Sequence, residues 1–333
     1  MKCPKCEHEQ KYKEGMTCLN CNYRFAINPK EKGNLNDYKM KLRIEQVSQS
    51  GQVYFTPRQL YALYRGKFKK NDALAMLVFG AIVISIFFAF GSPEGAIVAG
   101  IGFTIAILYE NFKKSWLSEQ DFLATFNHWY TRSELAKEVK QVVLQPELTQ
   151  LPPDNHEKDI YDYGVEAIIV TDQDVYVDLF VKNNYHTQYK ALIISKHFYP
   201  AYLTPRLKQL LQEKPDLPLF FIHDATLEGL QTMTQFRNHA GLATEGHPCI
   251  DLGLTPAHFN QLKPLKKLLK GTDDNHAPLD YLQHHHFTSI FNKYVVERAE
   301  QQALLSEEEL SVIEADDLSD RILMIDLIAD DFG

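Results

Sequence analysis

Several features of common protein classes are scarce in this sequence. There are only five cysteines in 333 residues. Four of them precede residue 22, a placement that excludes a secreted disulfide framework. The N-terminus, MKCPKCEHEQ, lacks the apolar core of a cleavable signal peptide, so none is expected. There is no basic excess either: 43 Asp and Glu against 35 Lys and Arg give a formal net charge of −8. A global basic patch of the kind that grips duplex nucleic acid is absent, so charge does not point to nucleic acid as a partner. The charge is unevenly spread instead. Lys and Arg outnumber Asp and Glu up to Lys70, whereas Arg321 is the only basic residue after Gln301. A basic front and an acidic tail suggest a polarised molecule with a membrane or a partner between its ends. The length allows two or three domains.

The four early cysteines form two pairs, CPKC (Cys3, Cys6) and CLNC (Cys18, Cys21). A CxxC turn presents two sulfurs to one ion, and two such turns complete the tetrahedral shell of a structural zinc site. A segment this short buries too little to fold alone, so metal binding must supply its folding energy. The stretch CPKCEHEQKYKEGMTCLNCNYRF, with Tyr23 and Phe25 after the second pair, resembles a zinc ribbon over residues 1–27. Four protein ligands leave no coordination position for a substrate, which makes the expected zinc structural or part of a docking module. Redox-active thiols are the alternative.

Residues 73–109 carry two uncharged apolar runs, ALAMLVFGAIVISIFFAF and GAIVAGIGFTIAILY, joined by GSPE. The first is long enough for a spanning helix. The pair reads as a two-helix transmembrane hairpin, with Gly95, Gly100 and Gly102 allowing close packing. Lys67, Lys69 and Lys70 precede it and Lys113 and Lys114 follow it. The positive-inside rule then puts both flanks on the cytoplasmic side of a bacterial-type inner membrane, where cysteines stay reduced. A helical hairpin buried in a soluble core is the alternative.

Residues 34–70 read as a helical juxtamembrane unit of two pieces. One stops at Gly51; the other starts with Thr56 as cap and Pro57 at the first helical position. The second piece holds Arg58, Tyr61, Tyr64 and Arg65, either a nucleic-acid or nucleophilic-tyrosine element or an amphipathic interfacial helix. Residues 118–147 read as one or two helices capped by Ser118.

From residue 160 to 271 the pattern changes. The apolar runs AIIVTD, KALIIS, LPLFFIHD and PCIDLGL alternate with amphipathic stretches, which implies an α/β domain with a parallel sheet. DVYVDLFVKNNY is ambiguous between helix and strand. Ligands of such Rossmann-like sheets gather at the carboxyl ends of the strands. Those ends carry Asp172 and Asp174, then Ser195, Lys196 and His197, then His223, Asp224 and Glu228. Acidic residues on neighbouring strand ends suit a hard cation such as magnesium, with Lys196 or His197 facing a phosphate. Ordinary capping by Asp is the other explanation.

The order IIVTDQDVYVDLF, LIISKHFYPAYLTPRLKQLL, LPLFFIHDATLEG resembles the Toprim domain, in the version found in topoisomerase VI A subunits and meiotic double-strand-break transesterases. The resemblance implies that Asp172 takes the place of the metal-binding glutamate. Tyr199 and Pro200 match the middle segment, with Thr204 and Arg206 close to its Thr-Arg. Asp224 and Gly229 match the first aspartate and the glycine of the third motif, while Thr226 and Leu227 stand where the family has aspartate and proline. Asp172, Asp224 and Glu228 are then the candidate magnesium residues.

Residues 277–333 are expected to hold a helix preceded by a turn, His284 to His286, and an acidic tail for an unknown protein partner. The expected protein is thus multidomain. A zinc ribbon, a membrane hairpin and a Toprim-like domain would together make a tethered, cytoplasm-facing scaffold or sensor. The alternative is a magnesium-dependent, nuclease-like phosphoryl-transfer enzyme, for instance in defence against foreign DNA.

Overall fold

The computed structural model describes residues 1–30, 35–66, 117–148, 161, 164–255 and 277–292. The apolar runs of 73–109, the helical stretch expected after Thr255 and the acidic tail lie outside them. Among the described residues no helix is long and apolar enough to cross a membrane. The chain divides into two compact units, one of residues 1–42 and 64–138, the other of 43–63 and 139–333.

In the first unit the cysteine-bearing segment is followed by helix α1 (Asp37–Val47), which continues past the unit's boundary. The C-terminal residues of α2 (Pro57–Gly66) and all of α3 (Glu119–Arg132) complete it. Ser118 caps α3 by accepting from the backbone N–H of Asp121, as its sequence position suggests. Phe122, Phe126 and Trp129 recur at helical spacing along α3 and are buried. The helix gives way to a 3-10 turn, Glu134–Glu138, and the chain then runs without helix to Leu148. Helix does not continue to 147 because Phe55 takes the backbone of Gln141 and Val143 into a short parallel pairing.

In the second unit, Thr56 and Gln59 cap the start of α2 reciprocally through side chain and backbone. Tyr61 is buried, ring to ring with Tyr281. Tyr64, on the other side of the unit boundary, is buried against Phe122 in the first unit and accepts from the N–H of Leu117. Both tyrosines are core residues.

The four apolar runs become β1 (Ala167–Thr171), β2 (Ala191–Ser195), β3 (Leu219–Ile222) and β4 (Cys249–Asp251). They form one parallel sheet in the order β2-β1-β3-β4. All residues of β1 to β3 are buried, as a sheet covered on both faces requires. The ambiguous stretch is helix α4 (Asp174–Lys182), followed by α5 (Tyr185–Gln188) and, after β2, by α6 (Thr204–Glu213). Two short helices, α7 (Leu227–Leu230) and α8 (Thr232–Arg237), follow β3.

One sheet face (Ile168, Val170, Leu192, Ile194, Leu219, Phe221) packs on Leu207, Leu210 and Leu211 of α6 and Phe236 of α8. Alternation along the strands turns Ile169, Ile193 and Phe220 to the opposite face. Helix α4 packs against β1 and β2. Its Phe180 meets Phe287 and Phe291 of α9 (His284–Phe291) at 5.2 and 5.3 Å between ring centres. The three histidines expected in a turn form the first turn of α9, with His286 buried and His285 exposed.

The connection after β1 leads to β2 on one side, and the connection after β3 leads to β4 on the other. That reversal falls at the carboxyl ends of β1 and β3, the place where sheets of this kind receive ligands. Asp172 and Asp224 stand there.

Candidate metal centre and strand-end acidic site

The two cysteine knuckles are built alike. In each, the first cysteine's N–H donates to the carbonyl five residues on (Cys3 to His8, Cys18 to Tyr23), and its carbonyl accepts from the N–H four residues on (Glu7, Asn22). Glu7 and Asn22 both take φ of 59°, which closes the turn and brings two sulfurs to one side. The ligand atoms of Cys3, Cys6, Cys18 and Cys21 all lie within 4.8 Å of one another. Cys3 and Cys21 are 3.6 Å apart at sulfur, as are Cys6 and Cys18. The edge of a tetrahedron with zinc–sulfur bonds of ~2.3 Å is about 3.8 Å, so the four thiols fit such an ion. They could hold a metal such as zinc, and Tyr23 and Phe25 pack against them.

The second unit places Asp172 immediately after β1 and Asp224 two residues after β3, both buried. The structure brings them together: the backbone N–H of Asp224 donates to Oδ2 of Asp172 at 3.1 Å. Neither caps the helix that follows it. The cap of α4 is Gln173, without a side-chain bond, and the cap of α7 is Thr226, which accepts from Gly229. Asp224 serves a different turn. Its Oδ1 accepts from the N–H of Leu279 and from the Tyr176 hydroxyl, each at 2.6 Å. Asp172 Oδ1 is buried and has no hydrogen-bond partner among the described residues. Burial, and then the charge of Asp224, push the Asp172 carboxyl up to about 7.

His223 is fully buried between these acids and Asp251. Its Nδ1 lies 2.8 Å from the carbonyl of Asp224 and its Nε2 3.0 Å from Asp251 Oδ1. Both nitrogens face acceptors, an arrangement that favours the doubly protonated ring. Burial works against that charge, but the bonds to Asp251 and to the Asp224 carbonyl outweigh it and raise the pKa of His223. The ring needs Gly253 beside it: a Cβ there would come within 2.3 Å of the imidazole.

Lys196 and His197 follow β2 on a turn in which Ser195 Oγ accepts from the N–H groups of His197 and Tyr199. The turn holds Phe198 at φ 60°, a left-handed conformation that costs a bulky residue about 1–2 kcal/mol. The Lys196 side chain is recessed, 4% exposed, and its Nζ meets Oε1 of the 71% exposed Glu228 at 2.8 Å. Lys196 holds the Glu228 carboxyl below the usual range. His197 turns outward to Asp174, 3.2 Å away.

Asp172 and Asp224 therefore meet, whereas Glu228 pairs with Lys196. Among the described residues, the four cysteines are the one group of three or more side chains gathered closely enough to hold a metal. The sequence pattern did not single out Tyr176, Asp251 or Asp280 as site residues. Tyr176 lies among the charges of Asp280, Asp224 and Asp172, which, after burial, push its hydroxyl well above the ordinary range. Asp251 ends an apolar run, the one signal that marked it. Asp280 arrives from a turn more than 100 residues after β1 and is tied to Thr56 at 2.9 Å.

No family model matches the chain, and neither does any curated protein or any solved structure.

Proposed function

We propose that the protein is a zinc-bearing adaptor or sensor. Its apolar segment 73–109 tethers it to the cytoplasmic face of a membrane, and its α/β unit receives a ligand or partner at the carboxyl ends of β1 and β3. The observation that carries the binding role is the unequal use of the two aspartates. Asp224 is committed to Tyr176 and Leu279, and Lys196 to Glu228. Asp172 Oδ1, at the same strand ends, is buried with no hydrogen-bond partner among the described residues. A buried polar atom without a bond costs about 1–3 kcal/mol, so a bound group that satisfies it gains that much. The tether rests on the length of the two uncharged runs and on the lysines that flank them.

A second reading, a magnesium-dependent phosphoryl-transfer enzyme of Toprim-like type, draws on the placement of Asp172 and Asp224 at adjacent strand ends of a parallel sheet. Against it, one carboxylate is already bonded to a tyrosine and a main-chain amide, and the third-motif aspartate is replaced by Thr226. One experiment separates the readings. The full chain, purified in mild detergent, is assayed for magnesium binding by calorimetry and for DNA cleavage, beside Asp172→Ala and Asp224→Ala. The adaptor reading expects no cleavage in any of the three; cleavage by the wild type that both substitutions abolish establishes the enzyme. Carbonate-resistant membrane fractionation of the full chain, compared with a chain lacking 73–109, tests the tether.

A further inference from the structure

A zinc ribbon that served only as an independent finger would make few bonds beyond its own residues. This one is bolted to the helices of its unit. Tyr23, two residues past Cys21, accepts the N–H of Cys18 on its carbonyl at 2.8 Å. Its hydroxyl crosses to the helices. It donates to Oδ1 of Asp37 at 2.8 Å and lies 2.8 Å from the hydroxyl of Ser133, 110 residues away in sequence. Asp37 opens α1, and Ser133 is the C-cap of α3. The Asp37 carboxylate also takes the N–H groups of Ala26 and Ile27 at 2.9 and 3.0 Å, so the chain leaving the second knuckle ends on the same buried acid.

The first knuckle is held similarly. Lys41 of α1 donates to the carbonyl of Pro4, inside the CPKC turn, at 3.1 Å, and Lys2 reaches the hydroxyl of Tyr38 at 2.9 Å. Leu135, from the turn after α3, packs on the cysteine cluster itself.

We propose that Asp37 and Tyr23 are positioning residues for the metal centre, and that they make loading of the four cysteines and ordering of α1 and α3 a single event. The proposal rests on the four thiols holding zinc. The ion fixes Cys18 and Cys21, these fix Tyr23, and Tyr23 joins the start of α1 to the end of α3. A ribbon of this size draws its folding energy from the metal. Linkage is reciprocal: whatever factor the helices lend to zinc affinity, zinc lends to helix order. The first unit is then a metal-responsive element, not a passive finger.

The test uses the full chain in detergent, with zinc content measured first and zinc affinity measured by competition with a chromophoric chelator. Hydrogen exchange is followed over 119–138 with and without a strong chelator. Chelation is expected to speed exchange there at least about tenfold and to leave β1 and β3 unchanged. Tyr23→Phe keeps the ring packing and removes the hydroxyl. It is expected to weaken zinc binding about tenfold, the effect of losing one hydrogen bond to a carboxylate. Ser133→Ala is the milder companion should Tyr23→Phe fold poorly, and Tyr189→Phe in the other unit is the control, expected to leave zinc affinity unchanged. Unaltered exchange over 119–138 after chelation overturns the proposal, as does wild-type zinc affinity in both Tyr23→Phe and Ser133→Ala. A chain that binds no zinc overturns it together with the zinc reading, and the initial zinc measurement distinguishes that failure from a failure of the coupling.

Discussion

The main chain of Asp224 holds the side chain of Asp172: the N–H of one donates to Oδ2 of the other at 3.1 Å. One strand end thereby fixes the carboxylate of its neighbour, and the other oxygen of Asp172 remains buried without a partner among the described residues. The arrangement is asymmetric. Asp224 supplies architecture through Tyr176 and Leu279, while Asp172 keeps bonding capacity in reserve at the switch point of the sheet.

The raised pKa of Asp172 gives a pH signature. Its carboxyl, pushed up to about 7 by burial and then by Asp224, keeps its proton in the folded state where the unfolded chain has lost it. Folding thus binds a proton between about pH 4 and 7, and stability falls as pH rises through that window, by a few kcal/mol in all. Asp172→Asn should remove this slope. The check is the urea midpoint at which peptides covering β1 lose hydrogen-exchange protection, measured at pH 5 and pH 8. His223, also raised, chiefly by Asp251 against burial, adds a loss of stability at higher pH to which Asp172 contributes least. Equal slopes in wild type and variant would contradict the assignment.

Gly253→Ala should destabilise the second unit by about 1–3 kcal/mol, the usual range for overpacking a core. The added methyl would lie 2.3 Å from the His223 ring, which is pinned on both nitrogens and has no room to retreat. Thermal unfolding measures the loss. A variant as stable as the wild type would mean that the ring moves freely and that its double bonding is weak.

Much of this architecture was legible locally. The CxxC pairs announce their site because the ligands lie within a few residues of one another, and tertiary structure has only to bring two knuckles together. The four strands were legible because each is a short, continuous apolar run, and Ser118 and Thr56 because a cap is read from three or four residues. The sequence was silent where partners are distant. Helix α4 could not be told from a strand, since Tyr176 to Val181 are buried all round and leave no wet stripe to set a period. The bond from Leu279 to Asp224 spans 55 residues, and that from Thr56 to Asp280 spans 224. Residues 139–147 were expected to be helical, but the pairing of Phe55 with Val142 decided the conformation around it.

Tyr176→Phe should cost about 1–3 kcal/mol, because it strips a 2.6 Å donor from a buried carboxylate. The loss should appear first at the carboxyl end of β3. Hydrogen exchange at Phe221, Ile222 and His223 provides the measurement. Unchanged protection at those amides would show that Asp224 is held without the Tyr176 hydroxyl.

The Lys196–Glu228 pair yields the most asymmetric expectation. Glu228 is 71% exposed, and an ion pair with one partner in solvent contributes only about 0.2–1 kcal/mol. Glu228→Gln should therefore change stability by less than about 1 kcal/mol. Lys196 is different, because its ammonium is recessed and its charge helps to restrain the pKa of Asp172 against burial and Asp224. Lys196→Met keeps the length of the stem and deletes the charge, so Asp172 should hold its proton to a higher pH than in the wild type. Titration of the Asp172 carboxyl by carbon-13 NMR of selectively labelled protein reads that midpoint directly. An upward shift in Lys196→Met with little change in Glu228→Gln is the expected pair of results. A downward shift in Lys196→Met would remove Lys196 from the electrostatics of these strand ends.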